Sequence, residues 1–227
     1  MSLWQFFVQQ RVEIFSRTLE HLWLVAAAMS LAMLIGLPLG IVLVRRRGLR
    51  RWVLGAANVM QTIPSLALFG FLIPVPFVGG IGATTAIVAL ALYALLPILR
   101  NTYTGIAGVD PAVLESARAM GMTTRQALWQ VELPLSMGVI LAGVRTATVI
   151  TIGVATIAAA IGAGGLGVFI FRGVAMASNA VILAGAIPAA LLAIAADLLL
   201  GLLERRLAPP QTSHAAIPAG AVAAAVE

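Results

Sequence analysis

The sequence predicts an all-α protein: a polytopic membrane helix bundle of about five spanning helices, N-outside and C-inside, with short helices exposed at the inner face. Three observations predict it. Of 227 residues, 61% are hydrophobic and only 10% charged, with a mean hydropathy of +1.06, far more apolar than a domain that keeps a polar shell in water. Apolar runs recur at lengths near the roughly 20 residues a helix needs to cross about 30 Å of hydrocarbon. Arginines gather where those runs end, which is the pattern of topology rather than of a nucleic-acid patch.

Residues 1–21 read as an external N-terminal segment. Leu22 to Val44 is an apolar run of 23 residues, followed at once by Arg45, Arg46, Arg47, Arg50 and Arg51. A cleaved signal peptide has the opposite polarity, with positive charge ahead of a shorter core, so the run reads as a retained span. A second span runs from about Trp52 to Leu72 and is interrupted by Pro64, and Pro74 to Gly80 is turn chemistry. The third span, Ile81 to Leu99, closes with Arg100. A polar segment, 101–136, precedes a fourth span from about Gly138 to Ala160. A glycine-rich loop then leads to Ser178, and a fifth span follows from about Asn179 to Leu203, capped by Glu204, Arg205 and Arg206. The spanning domain is thus 22–206, and 207–227 reads as a disordered inner tail. Ten arginines fall on the inner side of this arrangement and three (Arg11, Arg17 and Arg172) on the outer, which sets the orientation.

Several chemistries are excluded. The chain has no Cys, hence no disulfide, thiolate metal site or Cys nucleophile. All fourteen basic residues are Arg, so no P-loop lysine exists to hold ATP. The two His, His21 and His214, have no acid or serine partners at useful spacing, and no metal-ligand pattern is present. The run Gly162-Ala-Gly164-Gly165-Leu-Gly167 satisfies the dinucleotide fingerprint, but that motif needs a strand before it and a βαβ unit around it. A loop or re-entrant turn is the better reading. Catalytic residues, cofactor sites and metal sites are therefore not expected in this chain.

The polar segment carries its own punctuation. Asp110 can cap a helix whose first position is Pro111, and Gly121 suits a left-handed helix end. Thr123 with Gln126 reads as a capping box that opens a second short helix, which Pro134 is expected to end. Two short helices held between spans make a rigid protrusion, a shape suited to passing force to a soluble partner.

Other polar positions lie within apolar runs. Gln61, Thr62 and Pro64 put polar groups and a helix breaker at membrane depth, tolerated against protein or along a water-filled path. Both a kink and a pathway remain open there. Arg145, inside the fourth span, must face protein or water, or snorkel to the interface. Asp197 can pair with a polar group of another helix, and Gly36 with Gly40 allows close helix packing. No aromatic cage suited to a quaternary cation is evident: the four tryptophans lie at or outside span edges, and Tyr93 stands alone near mid-span.

Glu115-Ser116-Ala117, then Gly121 after three intervening residues, and Val131-Glu132-Leu133-Pro134 after nine more, resemble the EAA loop of ABC-importer permeases, E-A-A-x3-G-x9-I-x-L-P. Ser116 and Val131 depart from it conservatively. Gln61 to Leu68, Ala142 to Val149 and Ile161 to Gly167 further resemble the permeases of osmoprotectant importers, and the likeness covers about 20–205. This resemblance implies a multi-pass, non-catalytic subunit of the bacterial cytoplasmic membrane, paired with a second permease, identical or different. It also implies a cytosolic ABC ATPase that binds the ATP and Mg, an extracytoplasmic substrate-binding protein, and cargo such as glycine betaine, choline or carnitine. In that family the second short helix docks on the ATPase, which implies coupling roles for Glu115, Ala117, Gly121, Thr123, Arg125, Leu128 and Pro134. The candidates for pathway or gate are Gln61, Thr62, Pro64, Ser65, Tyr93, Arg145, Gly164 and Gly165. Methionine and ergothioneine importers share much of the architecture. An ion-driven secondary transporter would need inverted repeats and midplane acids, for which Asp197 alone offers itself.

Overall fold

The computed structural model describes residues 3–76 and 78–207, and all its regular structure is helical. The tail expected from 207, with His214, lies beyond Leu207 outside the described residues. A short helix α1 (Leu3–Gln9) leads into α2 (Arg11–Arg45), followed by α3 (Arg47–Thr62), α4 (Ser65–Leu72) and α5 (Ala83–Ala107). Then come α6 (Pro111–Ala119), α7 (Thr124–Ala127), a π-helical stretch Leu128–Glu132, and α8 (Leu133–Ala155). A 3-10 turn (Ile157–Ile161), α9 (Gly167–Ala175) and α10 (Asn179–Leu207) complete the order.

Four of these are long and apolar enough to cross a membrane: α2, α5, the run Thr124–Ala155, and α10. The pair α3 and α4, bent by 105° at its break, makes a fifth if counted as one broken span. Helix α5 sits at the centre of the bundle, packed between α2 and α8, with α10 against α8 and α9. Small residues let the backbones close in. A Cβ on Gly36 would lie 2.8 Å from Ile98 Cγ2, and one on Gly40 would lie 2.6 Å from Thr102 Cβ, so the G-x-x-x-G spacing is where α2 meets α5. Ala86, Ala89, Leu90, Ala94 and Ile98 are fully buried there.

The structure corrects four boundaries. Within the expected separate segment 1–21, residues 3–9 form α1 and 11–21 are the first turns of α2. At about 1.5 Å per residue the 35-residue α2 is about 50 Å long, so it outruns the hydrocarbon and carries charged residues Glu13, Arg17 and Glu20 beyond the Leu22–Val44 run. Helix α5 passes Arg100 and ends at Ala107. The loop expected before Ser178 contains α9.

Pro134 does not end a helix: it lies in the first turn of α8, and the helix runs on from Thr124 to Ala155. The reason is the π-helical stretch. There the Leu133 N–H donates to the Leu128 carbonyl, five residues back, and the widened turn takes up the missing N–H and the ring that would break a tight α-turn.

Candidate functional site

The EAA-like segment lies where the arginine-rich end of α2 meets the start of α8. Asp110 accepts from Ala112 N–H at 2.8 Å ahead of Pro111, so α6 starts with its first donor satisfied. It ends on Gly121, at φ +80°. The Met122 N–H reaches Ala117 O at 3.1 Å and the Gly121 N–H reaches Arg118 O at 2.9 Å, the paired bonds of a Schellman closure, which requires the left-handed residue. Thr123 then closes the capping box: its Oγ1 accepts from Gln126 N–H at 3.3 Å and its N–H donates to Gln126 Oε1 at 2.8 Å. Ala117 and Ala127 are buried, whereas Glu115, Thr123, Arg125 and Pro134 are exposed and Leu128 is half-buried. Thr123, Arg125, Gln126, Trp129 and Gln130 line a surface hollow of about 340 Å³.

Beneath this exposed ridge lies an anchor the motif alone did not show. Arg45 Nη2 donates to both carboxylate oxygens of Glu132 at 2.7 Å, and Glu132 is only 2% exposed. Arg50 donates to the Tyr103 hydroxyl and stacks 5.2 Å from its ring centroid. Two of the five arginines from Arg45 to Arg51 thus hold α2 to the π-helical stretch ahead of α8, and α3 to α5. Pairing across 87 residues leaves no spacing signal in the chain; a carboxylate inside the motif was the one available hint.

Five pathway candidates come together. Gln61, Thr62, Pro64, Ser65 and Tyr93, with Ile63, Ile150 and Val154, line a cavity of about 360 Å³ at the α3–α4 break. The Gln61 side-chain amide donates to Tyr93 O at 2.9 Å, and the Tyr93 hydroxyl donates to the Ile63 carbonyl beside Pro64. The carbonyl freed by the break is thereby satisfied by α5, as apolar surroundings demand.

Arg145 lies in a neighbouring cavity of about 340 Å³ with Ala142, Thr146, Val149, Ile150, Asp197 and Glu204. Its Nε and Nη2 bind the two Asp197 oxygens at 2.6 and 2.7 Å, and its Nη1 approaches Glu204 at 3.4 Å. Ile150 is in the wall of both cavities.

Gly164 and Gly165 lie apart from this group, both at positive φ. The Gly165 N–H donates to Glu20 Oε2 at 3.0 Å, and Arg17 holds the same oxygen at 2.8 Å. His21, fully buried, places Nε2 3.1 Å from Ile152 O. The early turns of α2 therefore clasp the glycine run, and Arg172 of α9 bonds Glu13 at 3.0 Å. Among the described residues no group of three His, Cys, Asp or Glu could hold a metal ion.

Residues 32–209 match the family described as binding-protein-dependent transport system inner membrane component. The chain is 52% identical over 191 residues to the glycine betaine/carnitine/choline transport system permease protein OpuCD of Bacillus subtilis, covering 84% of this chain and 82% of that one. It is 48% identical over 196 residues to the osmoprotectant import permease protein OsmW of Salmonella typhimurium, covering 86% and 91%. Among solved structures it resembles the MetNI methionine ABC transporter in inward-facing conformations, with a TM-score of 0.76 and 25% identity over 86% of this chain and 97% of that one.

Proposed function

This chain belongs to the family of binding-protein-dependent transport system inner membrane components, and from that premise we propose that it passes osmoprotectant quaternary amines across the membrane in an ATP-driven importer. It is an inner-membrane permease subunit of the ABC-importer class, and the family implies an ATPase and a substrate-binding protein as partners. Glycine betaine, carnitine and choline are the proposed cargo. The observation that carries this is the identity of about half with relatives whose names specify those compounds. Methionine, named for the structural neighbour, is supported by half that identity.

The proposed mechanism divides the work. A second permease, identical or homologous, faces this one across the pathway, and the ATPase binds ATP and Mg and catalyses hydrolysis. The exposed ridge that carries Thr123, Arg125, Gln126 and Trp129 docks in a groove of the ATPase. Closure pushes the α6–α7 ridge, and because Thr124 to Ala155 is one helix the displacement reaches Ile150 and the cavity around Gln61 and Tyr93. Arg45 holding Glu132 ties the same motion to α2. An ion-driven mechanism is disfavoured because Asp197 is consumed by Arg145.

Cross-linking tests the docking directly. The chain has no native Cys, so a single Arg125→Cys should form a bond to a cysteine placed in the ATPase groove, more efficiently than Arg172→Cys. Equal cross-linking at the two positions would remove the docking assignment.

A further inference from the structure

The seam between α8 and α10 has two unlike flanks. Facing α2 is a cleft of about 610 Å³ whose lining holds no charged group; its single hydroxyl, Thr148, donates to Val144 O of its own helix at 2.8 Å. The other flank carries Arg145, Asp197 and Glu204. Charged side chains against lipid are costly, so they belong against protein or water, while the uncharged cleft is compatible with acyl chains. The charged flank is also the one that reaches, through Ile150, the cavity of Gln61 and Tyr93. It therefore continues the pathway of the proposed function, on which this inference rests.

The charges on that flank do not cancel. Asp197 takes two donors of Arg145 at charge-assisted distances. Glu204, at 3.4 Å from Nη1, is attached to the pair without being consumed by it. Gly201 leaves room for the guanidinium, since a Cβ there would come 3.1 Å from Nη1. One guanidinium and two carboxylates leave one net negative charge in a cavity otherwise walled by Ala142, Thr146, Val149 and Ile150.

A trimethylammonium group has no N–H to donate and presents methyls in every direction. It needs a nearby anion it does not have to hydrogen-bond, and apolar walls. We propose that the route has two chambers divided by Ile150, and that the second, bearing Arg145, Asp197 and Glu204, selects quaternary ammonium cations through its excess carboxylate. Arg145 is the positioning residue, which keeps Asp197 neutralised and leaves Glu204 as the group the cation meets.

The test uses the assembled transporter in vesicles with Thr146→Cys as its single permease thiol. Two methanethiosulfonate reagents, one ending in trimethylammonium and one in sulfonate, are compared, each rate divided by its rate with a free thiol. The cationic reagent should react about tenfold faster. Adding Glu204→Gln should reduce that preference at least about threefold, Glu204→Asp should retain it, and Leu199→Cys in the uncharged cleft should react with neither. Co-purification with the ATPase checks that each variant has assembled. Reaction without charge preference, or a preference that Glu204→Gln leaves unchanged, overturns the cation chamber; Ser65→Cys in the first chamber then shows whether the route survives. If Thr146→Cys reacts with neither reagent, both the second chamber and its share of the route are wrong.

Discussion

Arg45, the last residue of α2, donates to both oxygens of Glu132, a carboxylate 2% exposed within the EAA-like segment. Removing the guanidinium leaves a buried carboxylate without its cation, which costs more than the net value of the bonds. Arg45 is itself partly exposed, so water softens the loss. Arg45→Ala should destabilise the detergent-solubilised chain by about 2 kcal/mol, and Glu132→Gln by about 1 kcal/mol, read as thermal unfolding midpoints. Additive effects in the double variant would show that the pair is not coupled.

At Gly40 helix α2 lies close against Thr102 of α5. Its added Cβ would press on Thr102 Cβ, a branched side chain with little freedom to yield. Gly40→Ala should cost about 1–3 kcal/mol by overpacking, and Gly40→Leu should abolish folding. At Gly55, which has open space around it, the alanine change should be near neutral in the same unfolding assay.

Gly121 has open space for a side chain but a φ of +80°, so any penalty there is a backbone penalty. Gly121→Asn should be tolerated. Gly121→Val should cost about 1–2 kcal/mol in local geometry and disturb the Schellman closure. Membrane insertion should persist while ATPase co-purification falls.

Tyr93 offers its hydroxyl to the carbonyl of Ile63 at the α3–α4 break. Tyr93→Phe keeps the ring and removes that donor, so stability should fall by about 1 kcal/mol. Uptake should slow more than the stability change explains, because the cavity wall loses its fixed geometry. A stability loss with an unchanged uptake rate would reduce Tyr93 to a structural role.

Much of this fold was legible because the bilayer imposes simple rules. Run length located the four long apolar helices and the bent α3–α4 pair, and Asp110, Pro111, Gly121 and Thr123 announced their turns through local backbone chemistry. What could not be read were consequences of packing. Pro134 is a helix terminator by local rules, and only the π-helical stretch before it overturns that. Arg145 and Asp197 stood out singly as charges within spans, but nothing in their spacing joined them, and Glu204 looked like part of a charged cap. By sequence Glu20 and His21 precede or border a span, whereas α2 extends outward and clasps the glycine run with them.

ATP-dependent accumulation of radiolabelled choline, in proteoliposomes holding this chain with its partner permease, ATPase and binding protein, tests the transport role most directly. Accumulation should require hydrolysable ATP on the ATPase side, resist ionophores that collapse ion gradients, and be largely lost in Gly121→Val. Accumulation driven by an ion gradient without ATP, or unchanged by Gly121→Val, would contradict a permease driven through the Glu115 to Pro134 segment.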